Sequence, residues 1–153
     1  MTVKLDQINR RLLNEMQAAP GRPQRELAEA VGLSQNACWR RLKQLEQAGA
    51  IEGTRLKLNR AALGQGLVVF SMIRTRSHSA DWLRAFRRHV GTIPEITDFY
   101  RIGGDYDYLL KIVTSDMAGF DSVYQRLIEG QELDAVTSYF AMEAIIEDRP
   151  VPV

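Results

Sequence analysis

Apolar residues open the chain in a helical rhythm. Leu5, Ile8, Leu12, Leu13 and Met16 fall three and four apart, which sets them on one face of a helix. Asp6 stands where a capping side chain is needed at its start. Pro20-Gly21 ends the helix, and Pro23 suits the first turn of the next. That second helix is short, with Leu27, Ala28 and Val31 inward. Gly32 follows, at the place where a left-handed residue closes a helix. Ser34 then caps a third helix, whose apolar stripe is Cys38, Leu42 and Leu45 and which ends at Gly49. Over residues 51–58, Ile51, Leu56 and Leu58 stand among polar neighbours. This fits a short strand pair or an extended exit segment. The glycines within 59–66 mark a boundary.

Beyond that boundary the rhythm changes. Leu67 to Ile73 is a strand-like apolar run. Ser79 to Val90 is helical, with Trp82, Leu83, Phe86 and Val90 on one side. Ile96 to Ile102 and Tyr106 to Val113 read as two strands around a Gly103-Gly104-Asp105 turn. Met117 to Ile128 is a second helix with Phe120, Val123, Tyr124 and Leu127 inward, and Val136 to Met142 is a fourth strand. The order βαββαβ is that of ferredoxin-like domains. Helices then cover one sheet face and leave the other in need of a partner. Val69, Ile112 and Phe140 are the candidates for that face, and a dimer through the sheet is expected.

Composition adds bounds. With 45% hydrophobic residues in 153, a packed core is available and global disorder is excluded. No apolar run approaches the roughly 20 residues of a membrane helix, and Met1 to Arg10 lacks the apolar centre of a signal peptide. A cytoplasmic protein without membrane contact is the expectation. The single cysteine, Cys38, excludes an intramolecular disulfide framework. It reads as a small buried hydrophobe or, alternatively, as a redox-sensing thiol.

Charge separates the two parts. Residues 1–60 hold 11 Lys and Arg against 6 Asp and Glu, whereas residues 61–153 hold 9 against 13. A basic first part suits a polyanion. Two short helices joined by a tight glycine turn, after a supporting helix, fit the helix-turn-helix plan and therefore duplex DNA. The outer face of the third helix carries Gln35, Asn36, Trp39, Arg40 and Lys43. Gln and Asn near a helix start suit paired bonds to adenine, and Arg40 suits guanine or phosphate. Ser34 caps the helix at the same end. Arg41 and Lys43 are read as phosphate contacts, which set affinity rather than sequence. Trp39 either packs on the sugar-phosphate backbone or anchors the helix.

Four stretches in this order, LDQINRRLLNEMQ, ELAEAVGLS, WRRLKQLEQAGAIEG and GGDYDYLLKI, resemble the Lrp/AsnC family of feast/famine transcription regulators. The likeness covers almost the whole chain, and GDYDYLL at 104–110 is its most specific block. SHSADWLRAF and AVTSYFAMEAII are similar to one branch, the cysteine-detoxification regulators of enteric bacteria. The resemblance implies an α/β two-domain chain: an N-terminal winged helix-turn-helix over residues 1–52, a hinge strand and linker over 53–66, and a ferredoxin-like domain over 67–153. It implies dimers that assemble into tetramers or octamers, no cofactor, and a small amino-acid effector between C-terminal domains, cysteine being the first to try. The implied effector region is Gly104, Asp105, Tyr106 and Asp107 with Thr137, Ser138 and Tyr139. Asp105 or Asp107 suits an ammonium group, and backbone N–H groups near Gly104, with the hydroxyls of Thr137 or Ser138, suit a carboxylate. Asp105 and Asp107 also read as ordinary turn residues. Ser34-Gln35-Asn36-Ala37 replaces the proline-containing start of the recognition helix in many relatives, and Pro23-Gln24-Arg25 replaces their Ser/Thr entry to the second helix.

Two rival readings find less support in the sequence. An enzyme lacks support: His78 and His89 are eleven positions apart and do not converge as an i, i+4 ligand pair does. No GxSxG, P-loop or dinucleotide fingerprint occurs. A ligand-binding assembly module with a degenerate DNA domain is opposed by the polar face of Asn36, Arg40 and Lys43.

Overall fold

The computed structural model describes residues 3–153. The chain divides into two compact units, one of residues up to Lys57 together with Ile146–Val153, the other Leu58–Ile145.

Among its described residues the first unit contains three helices: α1 (Gln7–Ala18), α2 (Gln24–Val31) and α3 (Gln35–Gln47). Asp6 caps α1 by accepting the Asn9 N–H at 2.7 Å, and Ser34 caps α3 by accepting the Ala37 N–H at 3.2 Å. Helices α2 and α3 end alike. Gly32 (φ 72°) and Gly49 (φ 73°) are left-handed. The next N–H in each case reaches five residues back, Leu33 to the Ala28 carbonyl and Ala50 to the Leu45 carbonyl, both at 2.9 Å. This reversal needs glycine because a Cβ disfavours the left-handed region. Leu12, Leu27, Ala28, Val31 and Cys38 form the core, with Ile8, Met16, Leu33 and Leu42 packed around it.

Residues 51–58 form no strand pair in the single chain, and 60–64 make a turn. Residues 146–153 lie within the span expected for the ferredoxin-like domain. They pack with the helical unit, because Val151 exchanges two hydrogen bonds with Gln17.

The second unit is a four-stranded sheet with two helices: β1 (Leu67–Arg74), α4 (Ala80–Val90), β2 (Ile96–Arg101), β3 (Tyr108–Thr114), α5 (Met117–Ile128) and β4 (Ala135–Phe140). The strand order is β2-β3-β1-β4, with antiparallel neighbours. The βαββαβ expectation is met. Val69, Ile73, Tyr108, Leu110 and Ile112 point to the helices and pack on Phe86, Val90, Phe120, Val123 and Leu127. Phe86 lies at the centre of an aromatic group with Trp82, Phe99 and Tyr108. Helix α5 comes so close to β3 at Gly119 that a Cβ there would overlap Thr114 Oγ1.

The sheet parity corrects one expectation. Val69 and Ile112 are fully buried beneath the helices, and Phe140 stacks edge-on against Phe120 of α5. None of the three belongs to the open face. Side chains alternate along a strand, so the open face takes the residues between them. Opposed pairs define its rows: Tyr100, Leu109, Met72 and Thr137 in one, Asp98, Lys111, Phe70 and Tyr139 in the next.

Candidate nucleic-acid interface and ligand loop

Helix α3 is two-sided. Cys38 and Leu45 are buried and Leu42 half-buried, while Gln35, Asn36, Trp39, Arg40 and Lys43 are exposed. The Cys38 side chain has no exposed surface, and burial pushes its thiol pKa up. That disfavours the thiolate and supports the reading as a small buried hydrophobe. The helix is held at its start by Ser34 and by Gln24, whose Nε2 donates to the Gln35 carbonyl at 3.3 Å.

The exposed polar side chains are not equally free. Asn36 and Arg40 have no side-chain partner among the described residues. Trp39 is 54% exposed, which fits contact with a partner better than an anchoring role. Lys43 forms a 2.7 Å ion pair with Glu46. Both groups are about half exposed, and such pairs rearrange at little cost. Arg41 is different. Its Nη1 donates to Asp6 Oδ2 at 2.6 Å and to Asn9 Oδ1 at 2.9 Å. The guanidinium therefore ties the middle of α3 to the start of α1. The Asn9 N–H and then Arg41 hold the Asp6 carboxyl below the usual Asp range. Sequence pattern identified Asp6 only as a helix cap. No local signal marks a partner 35 positions away.

In the second unit, residues 102–107 connect β2 to β3. The Ile102 N–H meets the Asp107 carbonyl at 2.9 Å, and the Asp107 N–H meets the Ile73 carbonyl at 2.8 Å. Gly104 takes φ 120°. The Asp107 carboxylate accepts the Thr75 N–H at 2.8 Å, and His78 Nδ1 lies 3.8 Å from its other oxygen. Asp107 thus fixes its own turn, while Asp105 is exposed. The Tyr106 hydroxyl and Thr137 Oγ1 are 3.0 Å apart, so the loop and the last strand do converge. Tyr139 is exposed on the open face beside Phe70. Ser138 alternates to the covered face, where its hydroxyl bonds to Ser71 at 2.8 Å. The hydroxyls of Thr137 and Ser138 therefore do not share one site. His78 and Thr75 flank the loop but were not assigned to it from sequence, since they lie some 30 positions from Asp107 (residues 75 and 78 against 107).

A helix-turn-helix with a two-sided reading helix, joined to an α/β unit with a polar loop at one edge, defines a DNA-binding regulator with a sensing domain. Comparison with known proteins agrees. Residues 5–52 match the winged helix-turn-helix DNA-binding family, and residues 68–151 match the Lrp/AsnC ligand binding domain. The chain belongs to the Lrp/AsnC family of transcriptional regulators. It is 39% identical over 150 residues to the DNA-binding transcriptional activator DecR of Escherichia coli K12, covering 97% of this chain and 99% of that protein. An AsnC family transcriptional regulator from Agrobacterium tumefaciens superposes with a TM-score of 0.92 at 38% identity, over 97% of both chains. A transcriptional regulator from Neisseria meningitidis, solved in complex with L-methionine, superposes with a TM-score of 0.89 at 28% identity, also over 97% of both. These relatives are regulators and not enzymes. Among the described residues no helix is long and apolar enough to cross a membrane.

Proposed function

We propose that the chain regulates genes of amino-acid metabolism by reading specific duplex DNA with the outer face of α3, under control of a small amino acid bound between ligand-binding units of a homo-oligomer. The observation that carries the reading is the free, exposed set of Asn36 and Arg40 on a helix whose other side is buried. Gln35, Asn36 and Arg40 are the base-reading candidates. Ser34, Trp39 and Lys43 serve the backbone. Arg41 orients the helix.

The open sheet face, with Phe70, Met72, Leu109 and Tyr100, is the surface for a second copy, and further pairing gives tetramers or octamers. The effector lies at the 104–107 loop and β4. Asp105 is the free acceptor for an ammonium group, because Asp107 is already engaged by Thr75. N–H groups near Gly104 and the hydroxyls of Tyr106 and Thr137 are the donors for a carboxylate. Tyr139 borders this region from the open face, and Ser138 contributes through its backbone. Cysteine, from the branch resemblance, and methionine, bound by the Neisseria relative, lead the panel.

Calorimetry over an amino-acid panel, paired with salt-titrated gel shifts on duplex DNA, tests this reading. Sequence preference over competitor DNA with a response to one or more amino acids is the expected result. Binding that shows no preference at moderate salt overturns the DNA assignment, and a flat panel overturns the effector assignment.

A further inference from the structure

Residues 150–153 read Pro-Val-Pro-Val. Proline lacks an N–H, and the residue before a proline is held extended. Within 150–152 Val151 carries the sole backbone N–H, on a stretch that is already stiff. The structure sets this residue against Gln17 near the end of α1. The Val151 N–H donates to Gln17 Oε1 at 2.8 Å, and Gln17 Nε2 donates to the Val151 carbonyl at 3.0 Å. One side-chain amide satisfies both backbone groups, as a neighbouring strand would. Val151 and Val153 also wall an apolar groove of about 340 Å³ with Leu13, Met16, Pro20 and Ile51. Ile51 lies on the segment that leaves the reading helix.

The chain leaves the DNA-binding unit after Lys57 and rejoins it at Ile146. The ligand-binding unit is thus an insertion in the DNA-binding unit, tethered at both ends. At its far end the Ala141 N–H is fixed to the Val68 carbonyl at 2.9 Å. Val151 comes ten residues later. A tether transmits a displacement only while both of its ends are held.

We infer that residues 150–153 are a clasp, held by Gln17, through which amino-acid binding in the inserted unit reaches the DNA-binding unit by a second covalent route. This rests on the amino-acid reading above. With the clasp open, the segment after Lys57 is the sole remaining route, and the response of DNA affinity to an amino acid shrinks.

Three full-oligomer preparations are compared: wild type, Gln17→Ala, and a chain stopped after Arg149. A fourth combines both changes. The first readout is amide exchange at Val151. It is expected to be about tenfold slower than in an unstructured peptide, as the paired hydrogen bonds imply, and to lose that protection in Gln17→Ala. The second readout is affinity for a duplex selected by the wild type from a random pool, with and without each common L-amino acid. The amino acid with the largest effect on wild type is expected to act about threefold more weakly on both single variants. The combined variant is expected to behave like either alone, because both changes break one contact. An unprotected Val151 amide overturns the clasp, and an undiminished response in the variants overturns its role in coupling. If no amino acid changes wild-type affinity, the effector reading and the coupling fall together, and Val151 exchange still decides the clasp.

Discussion

Replacing Arg41 by Gln separates two roles that a cation on a reading helix can have. A phosphate contact releases condensed counterions, and each one contributes about 0.9 to the slope of log affinity against log salt. Between 50 and 200 mM salt, one such contact is worth a factor of about 3.5. Were Arg41 a phosphate contact, the ratio of wild-type to variant affinity would fall by about that factor across the range. The structure assigns its Nη1 to Asp6 and Asn9 instead. The account therefore predicts weaker binding by a factor that stays constant with salt. Lys43→Gln, on the exposed side of the same helix, serves as the contrast and is expected to lower the slope by about 0.9. Asp6→Asn sharpens the test through its sign. Removing a negative charge near DNA raises affinity if only the field matters. If Asp6 anchors Arg41, the same change weakens binding. Fluorescence anisotropy titrations at four salt concentrations give the slopes. An Arg41→Gln slope lower by one contact, or tighter binding by Asp6→Asn, refutes the positioning role.

Other predictions follow from the ligand-binding unit. Gly119→Ala is expected to destabilise by about 1–3 kcal/mol, since the added methyl overlaps the Thr114 hydroxyl in a packed layer. Adding Thr114→Ala should recover part of that loss in chemical denaturation, and a strictly additive pair would contradict the contact. Phe70→Glu on the open face is expected to give folded monomers in analytical ultracentrifugation, whereas Val69→Glu unfolds the unit. Monomers from neither change would remove the sheet face as the interface. The Arg126 guanidinium, 2.6 Å away, holds the Glu95 carboxyl below its usual range of about 4.5. A depressed carboxylate stabilises the fold above its unfolded pKa and loses that contribution as pH falls through the lower folded value. Glu95→Gln should therefore flatten the acid limb of stability below about pH 4.5, and an unchanged limb would dismiss the pair.

The elements were legible where one face of each is apolar and the other polar. Helices α1 to α3 show this, and so do their glycine ends. Which face of the sheet is open was not legible. LVVFSMI in β1 and YLLKIV in β3 are apolar on both sides, so alternation names no face. A slip of one position exchanges the two sets of residues, and Val69, Ile112 and Phe140 fell on the covered side for that reason. The same parity turned Ser138 away from Thr137. The exposed face of α3 was legible because Gln35, Asn36, Trp39, Arg40 and Lys43 stand opposite the stripe of Cys38, Leu42 and Leu45. The tie of Arg41 to Asp6 and Asn9 was not legible, because charge and helix position are alike for a phosphate contact and a tertiary tie. The clasp at Val151 gave no periodic signal, since two prolines and one side-chain amide do the work of a strand.

The claim at the centre of the account is that the outer face of α3 specifies sequence. It is tested most directly by competition binding of wild type, Asn36→Ala and Arg40→Ala against a selected duplex and its single-base variants. The account predicts that each substitution removes discrimination at particular base pairs, by about 1–3 kcal/mol per contact, while other positions keep theirs. Unchanged discrimination at every base pair in both variants would contradict it.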